Sequence, residues 1–150
     1  MRRLLFSALP LLLVAGCSRG LDVDAYPTEP GTRVDCKALF ADTPRKVAGQ
    51  DSILVADDNA IAWGAPPIIL RCGMEQPSTL TATSQCFLVD GVDWFAETTA
   101  DGYLFTTIGR RHYVSVEVPK EYDPAADALA DLSDAIQKHD PSVKPCGESG

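Results

Sequence analysis

Hydrophobic residues near the two ends of the chain recur with the three-to-four-residue spacing that is typical of amphipathic helices. In the C-terminal pattern, Asp123 and Pro124 predict an N-cap and a first helical residue, and Pro141 predicts the end. The apolar stripe of this helix consists of Ala125, Ala128, Leu129, Leu132, Ala135 and Ile136. A shorter pattern predicts a first helix that Thr32 caps and Pro44 ends. Its core-facing stripe consists of Cys36, Leu39 and Phe40.

Two segments in the middle of the chain alternate between apolar and polar residues, which is typical of β-hairpins. In the first, the dipeptide Asp90-Gly91 predicts a type I′ turn that places Phe87 opposite Trp94. In the second, the dipeptide Gly109-Arg110 predicts a type II′ turn. Alternation assigns one face of the second hairpin to the core, namely Tyr103, Phe105, Thr107, His112, Val114, Val116 and Val118.

A continuous apolar run after two prolines predicts one further strand. Pro66 and Pro67 cannot donate hydrogen bonds to a neighbouring strand, so the strand is expected after them. The run Ile68-Ile69-Leu70 suits a strand that is buried on both faces, and we expect this strand at residues 68–72.

The order of these elements predicts an α+β domain. We expect an antiparallel sheet of about five strands, built from two hairpins and the strand at residues 68–72, with an N-terminal and a C-terminal helix packed on it. Residues 52–56 are a further candidate strand, and the remainder of residues 45–59 shows no clear pattern.

The first residues of the chain have the features of an export signal. Arg2 and Arg3 precede an apolar run at residues 4–14, which is too short to span a bilayer as a helix. The sequence Leu-Val-Ala-Gly-Cys, which ends at Cys17, fits a bacterial lipobox. The cysteine thiol of a lipobox receives a diacylglyceryl group. The alternative is an ordinary secretory cleavage site. We therefore expect a signal peptide at residues 1–16, a lipidated N-terminus and tether at residues 17–31, and a single domain at residues 32–150.

The charge balance excludes one class of partner. Without Arg2 and Arg3, the mature chain has 11 basic and 21 acidic residues, a formal charge of −10. Such a chain lacks the basic patches that neutralise the phosphates of a nucleic acid, and anionic lipid repels it. We expect it to contact the membrane only through the lipid on Cys17, on the extracytoplasmic face of the cell membrane.

The remaining cysteines indicate disulfides. They are Cys36, Cys72, Cys86 and Cys146, and an even number in an exported chain indicates two bridges, for which three pairings exist. Structural zinc sites use closely spaced cysteine pairs, which this chain lacks, so no metal is expected.

Five side chains are candidates for a ligand pocket, since aromatic rings beside an arginine and a carboxylate can bind a sugar or a peptide. These are Trp63, Arg71, Asp93, Trp94 and His112. The alternative is structural, with tryptophans in the core, an ion-paired arginine and a hydrogen-bonded histidine. An imidazole such as that of His112 can act as a catalytic base, but no G-x-S-x-G nucleophile motif accompanies it. No catalytic residue and no cofactor are therefore expected.

Three segments, AWGAPPIILRCG, TSQCFLVDGVDWF and DGYLFTTIGR, together resemble an uncharacterised family of secreted lipoproteins from high-GC Gram-positive bacteria, known only as a domain of unknown function. The resemblance covers most of residues 32–136. The chain has Asp90 where the family has asparagine, and the turn accepts either residue. The resemblance implies no activity, but it implies a bridge between Cys36 and Cys72, which leaves Cys86 to pair with Cys146.

These features predict a lipid-anchored envelope protein that is a non-enzymatic binding or assembly module. Its expected partners are the membrane, through the anchor, and another envelope protein or a cell-wall component. The alternative is an enzyme that acts on cell-wall or peptide substrates in a pocket near Trp63, Arg71, Asp93 and His112.

Overall fold

The computed structural model describes residues 20–24, 26–30, 35–57 and 59–146. The predicted signal peptide, Cys17 and Thr32 lie outside the described residues. The described residues form two α-helices, α1 (Cys36–Asp42) and α2 (Ala126–His139), and a short 3-10 helix at Lys120–Tyr122. The strands are β1 (Lys46–Val47), β2 (Gln50–Ile53), β3 (Ala60–Trp63), β4 (Ile68–Met74), β5 (Phe87–Val89), β6 (Val92–Thr98), β7 (Gly102–Thr107) and β8 (Tyr113–Pro119).

The strands form one antiparallel sheet in the order β1-β2-β3-β4-β8-β7-β6-β5. The predicted α+β class with two helices is confirmed, but the sheet has eight strands rather than about five. The additional strands are β1, β2 and β3, and β2 shares Ser52 and Ile53 with the candidate strand at residues 52–56. β1 has only two residues and β2 exposes most of its side chains, so neither has the apolar alternation by which strands are recognised in a sequence.

Both helices pack on one face of the sheet, and the main core lies between the two layers. All six residues of the predicted α2 stripe are buried, which confirms the helical pattern. On the sheet side, Trp63 and Trp94 are completely buried among aliphatic residues of β4, β6 and β8. We call this the helix face of the sheet and the opposite side the open face.

The starts of the two helices differ from the prediction. Asp35 caps α1, since its Oδ1 accepts a hydrogen bond from the Ala38 amide at 3.0 Å, whereas the predicted cap Thr32 lies outside the described residues. α2 begins at Ala126, and no side chain caps it. Asp123 is the residue that follows the 3-10 helix rather than the N-cap of α2.

One predicted hairpin register is confirmed and the other is shifted. In the β5–β6 hairpin, Phe87 pairs with Trp94 around Asp90 and Gly91, both of which have positive φ. In the β7–β8 hairpin, Thr106 pairs with Ser115, whereas a two-residue turn at Gly109-Arg110 would place it opposite Tyr113. A shift of two residues preserves which side chains share a face, so the valines of β8 are still buried on the helix face.

Residues 20–24 and 26–30, predicted as part of a tether, lie against the sheet. Leu21 forms a bridge with Val55, and its amide donates to the Leu54 carbonyl at 2.7 Å. Further along, Thr28 forms a bridge with Met74 at the end of β4. A free tether therefore cannot include these residues.

Two disulfides join distant parts of the chain. Cys36 of α1 is bonded to Cys72 of β4, and Cys86 is bonded to Cys146, which is the pairing that the family resemblance implies. None of the helices formed by the described residues is long and apolar enough to cross a membrane.

Candidate functional site

The five predicted pocket residues are divided between the two faces of the sheet. Trp63 and Trp94 lie on the helix face, in the core. The Trp63 Nε1 donates to the Pro44 carbonyl at 3.0 Å, whereas the buried Trp94 Nε1 has no hydrogen-bond partner among the described residues. Trp94 packs edge-to-face on Phe105, with ring centroids 6.5 Å apart. Both indole rings are therefore part of the core rather than the walls of a pocket.

Arg71 lies on the open face, in the centre of the sheet. Its side chain is only 4% exposed, and its Nη1 forms an ion pair with the Glu117 Oε2 at 3.0 Å. The Tyr26 ring, from the N-terminal segment, lies over the guanidinium with 4.1 Å between its centroid and the Cζ. The Nε of Arg71 is buried and has no hydrogen-bond partner within the described chain.

Asp93 and His112 lie near the C-terminal tail. Asp93 is buried, and its Oδ2 accepts from the Cys146 amide at 3.3 Å. The amide of His112 donates to the Asp140 Oδ2 at 3.2 Å, in the loop between β7 and β8. Asp93 also lies near the two bonded sulfurs of Cys86 and Cys146, which hold each other rather than a metal. The five residues thus do not converge on one cleft.

A cleft of about 320 Å³ lies instead on the open face, between the N-terminal segment and the loop that follows β4. Tyr26 and Pro27 form one wall. The floor comes from adjacent strands in the middle of the sheet, and the opposite wall comes from residues 75–79. The lining is completed by Met74, Glu75, Gln76, Pro77, Ser78, Thr79, Glu97, Leu104, Thr106 and Ser115. Its volume is at the lower end of the range for small-molecule sites.

Ser115 is the unusual residue of this cleft. It is 3% exposed, and its Oγ has no hydrogen-bond partner among the described residues. Most buried hydroxyls in proteins have a partner, because leaving one unpaired costs about 1–3 kcal/mol. A group of this kind that borders a cleft can bind a polar atom of a ligand.

Hydrogen bonds hold some of the other polar side chains that line the cleft. The Thr79 hydroxyl donates to the Glu97 Oε1 at 2.6 Å, and the Tyr113 hydroxyl donates to the Gln76 Oε1 at 3.1 Å. Burial raises the pKa of Tyr113 above its ordinary value, and the nearby carboxylate of Glu29 adds to this shift. The Tyr113 phenol is therefore a neutral donor at physiological pH.

The sequence contains one signal for this site that was missed. In β8, Ser115 lies between Val114 and Val116, and alternation places a residue flanked by core valines on the opposite face. The burial of that opposite face could not be inferred from alternation, because it results from contacts with residues 26–27 and 74–79.

These features define a small, disulfide-bridged α+β domain whose sheet has helices on one face and a ligand-sized cleft on the other. The chain belongs to the family "Protein of unknown function (DUF3515)", whose model matches residues 12–145, and this confirms the resemblance to a domain of unknown function. No curated protein and no solved structure matches the chain.

Proposed function

We propose that the protein is a lipid-anchored binding module on the extracytoplasmic face of the cell membrane, and that it binds another envelope component in the cleft on the open face. The single observation that supports a binding role is the buried Ser115 hydroxyl, unpartnered among the described residues, in the floor of a cleft open to solvent. The lipobox that ends at Cys17 and the charge of the mature chain support the location.

The composition of the cleft favours binding over catalysis. Its described lining offers hydroxyl, amide and carboxylate groups but contains no histidine, cysteine or lysine. The alternative enzyme would need Trp63, Arg71, Asp93 and His112 in one pocket, and these residues lie on different faces and strands. A nucleophile and its base must be within hydrogen-bond reach of each other, so this separation favours the binding module.

Position-specific photo-cross-linking of the full chain in intact cells tests this function. A photoreactive amino acid replaces Ser78, an exposed residue of the cleft wall, and in a matched control it replaces Asp134, an exposed residue of α2. We expect a specific adduct with an envelope component from position 78 that position 134 does not give. Identical adduct patterns from both positions, or an adduct from position 134 alone, would contradict a binding role for the cleft.

A further inference from the structure

We propose that the cleft on the open face binds a neutral saccharide, with Ser115 and Glu97 as hydrogen-bonding residues and the ring of Tyr26 as a stacking surface. This inference rests on the proposed binding function and specifies the class of ligand.

The charges around the cleft favour a neutral ligand over an anionic one. The carboxylates of Glu75 and Glu97 line it and would repel an anion. The guanidinium of Arg71 lies beneath Tyr26 but is already paired with Glu117, so it does not offset these two carboxylates. An anionic ligand therefore meets like charges in the cleft, whereas a neutral one does not.

The hydrogen-bonding groups of the cleft favour a ligand that both donates and accepts. The Glu97 carboxylate only accepts, and Thr79 already occupies its Oε1, which leaves its second oxygen for a ligand donor. The Ser115 hydroxyl can donate to or accept from a ligand. Sugar hydroxyls have both capacities on each oxygen, so one ring can satisfy both residues.

The apolar part of the cleft suits the carbon face of a sugar ring. Tyr26 is 37% exposed and presents a rigid ring with a polar tip, while Leu104 and Met74 add apolar surface. Since the ring of Tyr26 also lies over Arg71, its orientation is set by the protein before a ligand arrives.

A peptide fits this site less well than a saccharide. Extended peptides commonly bind by adding a strand to the edge of a sheet, where main-chain groups are unpaired. The floor of the cleft comes from β7 and β8, which both pair with neighbouring strands on each side. The cleft thus offers side chains rather than a strand edge.

Saturation-transfer difference NMR with the full-length mature protein tests the ligand class. The probes are N,N′-diacetylchitobiose and maltose as saccharides, butylamine as a cation, butyrate as an anion and N-acetyl-alanyl-alaninamide as a neutral peptide. We expect saturation transfer to at least one saccharide in the millimolar range and none to the other three. Transfer to the amine, the carboxylate or the peptide without transfer to a saccharide would overturn the proposal, and so would transfer to none of the probes.

Matched variants locate the binding. Ser115→Ala and Glu97→Gln should each weaken saccharide binding about fivefold, as expected for one lost hydrogen bond. Tyr26→Ala should weaken it as well, and Tyr26→Phe should preserve it because the ring remains. Glu121→Gln, which alters a different cleft, should leave it unchanged.

The stability of Ser115→Ala separates ligand binding from a structural role. Because the hydroxyl is buried without a partner in the described chain, its removal should leave the melting temperature unchanged or raise it. Unchanged saccharide affinity in both Ser115→Ala and Glu97→Gln would show that the saccharide does not bind in this cleft. If position 78 cross-links in cells but no saccharide binds, the ligand class is wrong and the binding function stands.

Discussion

Asp140 shows how one buried carboxylate sets the path of a loop. It is 1% exposed, and its two oxygens accept from the amides of Arg111 and His112 at 3.3 and 3.2 Å. The guanidinium of Arg110 donates to the backbone carbonyl of the same residue. These contacts support a five-residue loop between β7 and β8 where the dipeptide Gly109-Arg110 predicted a two-residue turn. A residue some thirty positions away thus accounts for the shifted register.

The protonation of Asp140 should make the free energy of unfolding depend on pH. Burial raises its pKa above the ordinary 3.8, against the opposing effect of the hydrogen bonds from His112 and Arg111, so the folded chain binds this proton more tightly than the unfolded chain. Its contribution to stability is therefore largest below 3.8 and falls as pH rises through the raised folded pKa. Urea unfolding gives the free energy of unfolding of the wild type and of Asp140→Asn at each pH. The excess of the wild type over the variant should shrink as pH rises from 3.8 through the raised folded pKa, and it should stay constant above it. An advantage that grows with pH would contradict this assignment.

Gly102 is required by close packing rather than by its backbone angles. It begins β7 opposite Pro119, and a Cβ at this position would overlap the carbonyl oxygen of Val118. Gly102→Ala should lower the free energy of unfolding by about 1–3 kcal/mol, because the two strands must separate.

A matched control for this substitution is Gly49→Ala. Gly49 has a φ of +75° and nothing within 4 Å of the added Cβ, so its substitution costs only backbone strain of about 1 kcal/mol. Chemical denaturation gives both losses, and hydrogen exchange should show weaker protection of β7 and β8 in the first variant alone. Equal protection in the two variants would show that β7 accommodates the added carbon.

Among the elements, α1 depends most on covalent support. It has seven residues, and helices of this length are not stable alone in water. The Cys36–Cys72 bridge attaches it to β4 in the core, while Asp42 at its end pairs with Lys138 and His139 of α2. These pairs lower the pKa of Asp42, with Lys138 the larger contributor. The disulfide therefore fixes the first residue of α1, and the ion pairs fix its last residue.

Removing each disulfide should have a different structural result. The bridges span sequence separations of 36 and 60, for which loop-closure estimates give about 3–4 kcal/mol each. We expect the pair Cys36→Ala and Cys72→Ala to lower the melting temperature and to expose α1 to hydrogen exchange. The pair Cys86→Ala and Cys146→Ala should also lower the melting temperature, but here the protection from hydrogen exchange should be lost near residues 142–146. Loss of protection in α1 from the second pair would contradict this division.

At the scale of the whole molecule, the N-terminal segment links the proposed anchor to the domain. Cys17 precedes Gly20 by three residues, which span at most about 10 Å when extended. Since residues 20–24 and 26–30 lie against the sheet, a lipid on Cys17 would hold the domain close to the bilayer. Tyr26 of this segment also forms a wall of the cleft. The segment that follows the proposed anchor therefore also forms one wall of the proposed binding site.

The anchor is tested by Cys17→Ala. Without the thiol no diacylglyceryl group can be attached, so the variant should remain uncleaved or be released into the medium. One acyl chain alone retains a protein on a membrane only marginally, so both chains of the lipid are needed. Fractionation followed by mass spectrometry measures this. An unmodified Cys17 in wild-type protein from the membrane fraction would disprove the anchor.

Part of the fold could be predicted because some signals are local. The β5–β6 register follows from Asp90-Gly91, since few residues adopt positive φ at two successive positions. The buried stripe of α2 follows from its spacing. By contrast, β1 forms through pairing with β2, and its two residues are too few to contain such a signal.

The sequence by itself therefore determined the α+β class, the apolar faces of α2 and of the second hairpin, and one hairpin register, because each depends on residues that are close along the chain. Only the tertiary structure decided that Trp63 and Arg71 lie on opposite faces, since this depends on how β3 and β4 sit in the sheet. It also decided the cleft, whose walls and floor include Tyr26, Glu97 and Ser115. These residues come together only when the strands pair in their final order, and no periodicity along the chain relates them.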